Sequence, residues 1–307
     1  DMTAATPRTV EQYLDQLRTE LQGADPALVQ DALYDAEEHL RAELAQHPEE
    51  TDETMLGRIV ASYGAPGEVA DAYRSNESRV QAALRTPPPK PKHTSLGRFF
   101  SVYSDPRAYL SMAYMLLALA TGIFYFTFAV TGLSLSAGFA ILIIGIPFFL
   151  LFIGTTRVLA LAEGRIVETL LGTRMPRRPV HPGPPMGWMQ RVLEMLKDPR
   201  TWGTLLYLLL MLPLGLFYFT FVIVGIVCSL ALTIAPIVVL LYHAGVISID
   251  GTVESPHPAL LPLVSILGIV LLTVTLHLTR GIGYLHGQLA KSLLVRAPRT
   301  ADEPAVA

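Results

Sequence analysis

The chain has 307 residues, 51% of them hydrophobic, and a formal net charge of −3. Its one cysteine, Cys228, excludes an intramolecular disulfide and a cysteine-built metal centre. Residues 1–85 carry 17 Asp/Glu against 7 Lys/Arg and the remainder 9 against 16, so an acidic soluble head precedes a basic, apolar body. No basic-apolar-small leader pattern opens the chain, and the head is expected in the cytoplasm.

Helical periodicity dominates the head, residues 1–85. Val10, Tyr13, Leu14, Leu17 and Leu21 recur at three- and four-residue steps behind a Thr9 cap, and Gly23 stops the run. Asp25-Pro26 restarts the chain as cap and first helical residue, ahead of a stripe of Leu28, Val29, Ala32, Leu33, Ala36, Leu40 and Leu44. A third helix runs from about Glu53 to Tyr63 and a fourth follows Pro66. Four short helices predict a small bundle with a thin core. Glu37, Glu38 and Glu43 mark an acidic face suited to docking a basic partner. His39, Glu43 and His47 have the i, i+4, i+8 spacing of metal ligands, but a solvated acidic face explains them and no metal is assigned.

The segments YLDQLRTEL (13–21), DALYDAEEHL (31–40) and ASYGAPGEVADAYR (61–74) resemble the HAAS signalling domain, with Tyr63 where that family's turn carries Leu. The resemblance implies a cytoplasmic head that relays signals, often alongside PadR-type transcription regulators.

Residues 86–97 open on Thr86-Pro87-Pro88-Pro89-Lys90-Pro91-Lys92, a polyproline-type spacer. The body then repeats itself. Residues 105–128 (DPRAYLSMAYMLLALATGIFYFTF) and 198–221 (DPRTWGTLLYLLLMLPLGLFYFTF) align at a constant offset of 93. The ends of the halves align at an offset of 123, Arg157-x5-Glu163-Gly164 with Arg280-x5-His286-Gly287. Membrane repeat 1 is placed at 98–175, membrane repeat 2 at 190–295 and a disordered tail at 296–307. Asp105-Pro106-Arg107 and Asp198-Pro199-Arg200 read as helix starts, an N-cap followed by Pro at the first helical position.

No Asp, Glu, Lys or Arg lies between Arg107 and Arg157, which leaves room for two spans near 109–131 and 134–156 that turn at Thr131-Gly132. The second half holds two spans, or three if every apolar run counts. The charge rule favours four spans in all, with part of 227–258 as an extracytoplasmic apolar excursion and 296–307 cytoplasmic; five spans is the alternative. The shared sequence predicts codirectional halves about an axis along the membrane normal. The predicted fold class is all-α: a cytoplasmic helical bundle followed by a polytopic membrane domain of two tandem repeats.

The duplicated element and its Arg-x5-Glu/His-Gly close resemble the sensor domain that precedes the catalytic part of many actinobacterial histidine kinases. No dimerisation-histidine helix or ATP-binding segment follows before Ala307, so output is expected through the head or a separate protein. Nucleotide loops, metalloprotease motifs and serine elbows are absent, so neither enzyme activity nor a cofactor is expected. The Phe/Tyr-rich repeat ends read first as packing or interface-belt residues. As ligand candidates at the repeat interface they supply Tyr125, Phe128, Tyr218 and Phe221, joined by His243. A polar loop explains His243, Asp250, Glu254 and His257 better than a metal site does. The leading reading is a sensory or regulatory protein of the bacterial inner membrane, relaying a membrane or lipophilic signal to a cytoplasmic partner. Expected partners are membrane lipid, a PadR-type or other signalling protein, a larger membrane complex, or a second copy of the chain, without direct nucleic-acid binding. The alternatives are an accessory subunit of a membrane complex and a lipid-handling protein.

Overall fold

The computed structural model describes residues 7–46, 52–84, 94–139, 145–178, 188–248 and 260–295, and among them there is no strand. The head comprises α1 (Val10–Glu20), α2 (Pro26–Gln46), α3 (Asp52–Tyr63) and α4 (Pro66–Leu84). Thr9 caps α1 by accepting from Gln12 N, and Asp25 accepts from Ala27 N at the start of α2. The apolar stripes close one small core, with Tyr13, Leu17, Leu21, Ala32, Ala36 and Leu40 fully buried. Gly23 and Gly64 turn the chain at φ +77° and +111°, a region that favours glycine.

A short α5 (Ser95–Phe100) and one 3-10 turn (Ser101–Ser104) lead into α6 (Pro106–Phe139). Then come α7 (Gly145–Leu171), the short α8 (Trp188–Lys197), α9 (Pro199–His243) and α10 (Leu261–Leu294). Among the described residues four helices are long and apolar enough to cross a membrane, namely α6, α7, α9 and α10. The turn expected at Thr131-Gly132 does not occur, because α6 runs on to Phe139. Gly132 instead gives a flat seat to the Phe152 ring of α7. The expected excursion is helical as far as His243: α9 is a single helix of 45 residues, about 68 Å long, that carries Pro213 and Pro236 inside it. Residues 249–258 and the tail 296–307, whose sidedness the charge pattern assigns, lie outside the described residues.

α6 and α9 cross where Gly122 meets the Met211 carbonyl and Gly215 meets the Ala118 carbonyl. No side chain fits at either glycine, so the backbones touch directly, as small residues permit in membrane helix pairs. Their relative direction follows from two ion pairs. Asp198, at the start of α9, lies beside Arg157 on α7. Arg157 is five residues past Phe152, which sits on Gly132 near the far end of α6. In the other half Asp105, at the start of α6, lies beside Arg280, five residues past Thr275, which sits on Gly225 of α9. Each first helix therefore starts beside the advanced part of the other, and the two run in opposed directions. This corrects the expectation of codirectional halves: the repeat identifies like halves, whereas their mutual orientation is set by where the glycines let backbones meet.

Candidate functional site

Six polar side chains from four helices converge where the halves cross. α6 supplies Tyr114 and Tyr125, α9 supplies Tyr207 and Tyr218, α7 supplies Glu163 and α10 supplies His286. The tyrosines are related by the 93-residue offset, and Glu163 and His286 by the 123-residue offset. Glu163 is 0% and His286 2% exposed. Glu163 Oε1 accepts from the hydroxyls of Tyr114 (2.7 Å) and Tyr207 (2.9 Å), and Oε2 accepts from Tyr125 (3.0 Å). His286 Nε2 faces the same two hydroxyls, Tyr114 at 2.6 Å and Tyr207 at 3.0 Å, while Nδ1 lies 3.0 Å from the Tyr218 hydroxyl.

Hydrogen-bond roles then follow. A phenol has one proton to give. With the Tyr114 and Tyr207 protons on Glu163, their oxygens accept from an Nε2–H on His286. Every functional group in the hub thus has a partner. A satisfied buried network fixes one register between helices, and a half-satisfied one is costly. The hub thus ties all four long helices together at one point.

Two glycines extend the hub toward the head. Gly164 and Gly287 follow Glu163 and His286 directly. At Gly172 (φ +70°) α7 ends, and residues 172–178 fold back as a strap that lays Met175 over Gly164 and Thr173 over Gly287. Arg177 O accepts from Arg165 of α7 (3.2 Å), and Glu168 holds Arg174 (3.6 Å) and Arg177 (3.1 Å).

The outer side of the strap is clamped by α2 of the head. Asp31 Oδ1 accepts from the backbone N–H groups of Arg177 (2.7 Å) and Arg178 (2.9 Å), and Oδ2 accepts from the Arg174 guanidinium (2.9 Å). Gln30 donates to Arg178 O (2.8 Å), and Asp35 pairs with Arg178 (2.9 Å). Burial pushes the Asp31 carboxyl up from its usual range, while the two N–H groups and Arg174 pull it back. A second tie joins Asp25 to Lys291 of α10. Glu168 and Lys291 are themselves repeat-equivalent, each five residues past its hub residue.

The residues singled out in the sequence are distributed unevenly. Tyr125 and Tyr218 enter the hub. Phe128 and Phe221 pack, half-buried, against the same core. His243 is exposed at the end of α9, bonded to Val239 O at 2.8 Å, and the structure does not bring it to this site. Asp105 and Asp198 accept from Arg107 N and Arg200 N, both at 3.0 Å, as caps. Glu37 pairs with Arg41 (2.9 Å), Glu38 is exposed and Glu43 half-buried; the head meets its own basic strap through Gln30, Asp31 and Asp35 instead. His39 stacks on Tyr63, and Asp250, Glu254, His257 and His47 lie outside the described residues. Reading by residue missed Tyr114, Tyr207, Glu163, His286 and Asp31 as site residues; the 93-residue offset carries the first two and the 123-residue offset the next two.

An apolar groove of about 380 Å³ opens between α6 and α7, lined by Phe124, Phe128, Phe148, Phe152, Leu135 and Leu151 among others.

Two family profiles match the chain. One, described as "Putative sensor", covers residues 114–294 and all six hub residues. The other, HAAS, covers residues 12–72 of the head. No curated protein and no solved structure matches.

Proposed function

Starting from a chain that belongs to the family described as "Putative sensor" and carries an N-terminal HAAS domain, we propose that it relays a membrane-borne signal to a cytoplasmic partner through the docking of its head. The supporting observation is the continuous stack of hub, strap and head. α7 and α10 each carry a hub residue, a glycine under the strap and a head-facing charge within six residues. A shift of either helix at the hub lifts Met175 or Thr173 and loosens the strap that Asp31 holds. The signal acts by changing the packing of the halves. The groove beside Phe128 suits an acyl chain or another apolar molecule, whose entry between α6 and α7 biases that packing.

In this reading the protein has no catalysis of its own. It sits in the bacterial inner membrane with the head in the cytoplasm, and a PadR-type regulator is the kind of partner that the HAAS resemblance implies. Limited trypsin digestion of the full chain in mild detergent tests the relay, because Arg174 is nearly buried while docked. Glu163→Gln and Gly164→Leu are expected to speed cleavage at Arg174-Met175 several-fold, as is Asp31→Ala. Faster cleavage in Asp31→Ala, with both hub variants folded and unchanged, would show that hub and head are uncoupled and refute the relay.

A further inference from the structure

We infer that the strap-facing side of α2 is a binding site for a non-helical, arginine-bearing segment of a partner protein, with residues 174–178 as its occupant within the chain. The inference rests on the relay reading, since the site is vacated only when the head leaves.

The contacts are those of peptide recognition rather than of helix packing. The head reads backbone: Asp31 takes two successive N–H groups and Gln30 takes the following carbonyl. It also reads two guanidinium groups. Arg174 lies between Asp31 (2.9 Å) and Glu77 (3.5 Å). Arg178 forms an ion pair with Asp35, Nε to Oδ1 at 2.9 Å, and lies over the Tyr34 ring at 5.6 Å. Arginine suits both places better than lysine, since a planar fork can meet carboxylates with two donors and stack flat on an aromatic face, whereas an ammonium is a compact point charge. Pro176 fixes its own φ between the two and offers no N–H, and the chain bends at Arg177 and Arg178 so that both N–H groups reach one oxygen.

All the bonds described for Asp31 go to the strap. When the head undocks, a nearly buried carboxylate and its neighbour Asp35 are uncovered on one helix face. A partner that offers Arg-x-x-Arg-Arg with the same bend reproduces every one of these contacts. The strap competes at the high effective concentration of a tethered ligand, of millimolar order. A partner therefore gains access only after the hub has loosened the strap.

The test uses the full-length protein in detergent and a fluorescein-labelled peptide with the sequence of residues 172–179, followed by anisotropy. Wild type should bind weakly. The strap variant Arg174→Ala/Arg178→Ala should bind at least tenfold more tightly, because the site is free. Adding Asp31→Ala to it should return binding to the wild-type level, and adding Asp35→Ala should weaken it in part. A peptide with Lys for each Arg, equal in charge, should bind several-fold more weakly. No gain in the strap variant, or equal binding of the lysine peptide, overturns the inference. If peptide binding fails while Glu163→Gln still speeds cleavage at Arg174, the relay stands and the partner class falls. If both fail, the relay falls too.

Discussion

The two halves of the body share a plan of paired contacts, and the differences that shape the site fall where a single object meets both halves. The shared residues lie on contacts made twice: Tyr114 and Tyr207, Gly122 and Gly215, Asp105 and Asp198, Arg157 and Arg280. Glu163 and His286 instead meet at the centre, where both reach the same two hydroxyls. Two carboxyl groups there would compete for the same protons and repel when charged, whereas an acid and an imidazole complement one another. The head is present once and touches both halves. Glu168 gathers the basic strap in one half, and Lys291 takes Asp25 directly in the other. Duplication supplies the scaffold, and divergence at a few positions makes it asymmetric enough to hold one head in one orientation.

The hub is the place to break this comparison with the largest effect. Glu163→Leu leaves three hydroxyls without their acceptor. The expected loss is about 1–3 kcal/mol for each buried hydroxyl left unsatisfied. It is measured by denaturant titration in mixed micelles. The exchange Glu163→His with His286→Glu sharpens the point. Each single change should destabilise, and the double change should recover most of the loss if the halves are interchangeable at the centre. A double variant as weak as the sum of the singles would mean that the surroundings of the two positions differ more than the pseudo-symmetry suggests.

Much of this plan was legible in the residues. Apolar runs alone suggest five spans, whereas charge and repeat alignment favour four, the number of helices long and apolar enough to cross a membrane among the described residues; the Asp-Pro-Arg motifs mark both helix starts. Aligning Arg157 with Arg280 had already paired Glu163 with His286. Their meeting was not legible, because both lie past an arginine that reads as the end of a span, and only opposed crossing brings α7 and α10 together behind it. The direction of the halves was hidden for a related reason: it depends on which faces of α6 and α9 carry Gly122 and Gly215, a three-dimensional match that a one-dimensional offset does not contain. Asp31 was one acid among many on α2, and only the returning strap distinguishes it.

A smaller break lies at the crossing itself. Gly122→Leu forces a side chain into the Met211 carbonyl, and Gly215→Leu does the same at Ala118. Each should cost about 1–3 kcal/mol, as overpacking does. The losses should be similar in size, since the contacts are mirrored. Gly154 and Gly281 have open space where a Cβ would go, so Gly154→Leu and Gly281→Leu should leave the unfolding midpoint nearly unchanged. Equal damage from all four variants would assign the effect to glycine in helices generally rather than to this crossing.

The finest distinction concerns the two helix starts. Asp105 and Asp198 each cap a helix, and Asp→Ala at either should lose about 1 kcal/mol for that reason alone. Their second oxygens differ. Asp105 Oδ2 is 2.8 Å from Arg280, and Asp198 Oδ2 is 3.7 Å from Arg157. The arginines are 51% and 41% exposed, so solvent screens both pairs and neither is worth more than a partly exposed ion pair, about 0.2–1 kcal/mol. A double-mutant cycle with Arg280→Ala should place the Asp105 pair near the upper end of that range. The cycle for Asp198 with Arg157→Ala should fall near zero. Raising the salt concentration should shrink the first coupling toward the second, because exposed charges are screened within about a Debye length. Equal couplings at low salt would mean that the two starts are energetically alike despite the 0.9 Å difference in their contacts. The asymmetry between the halves would then reside in the hub and the head-facing charges alone.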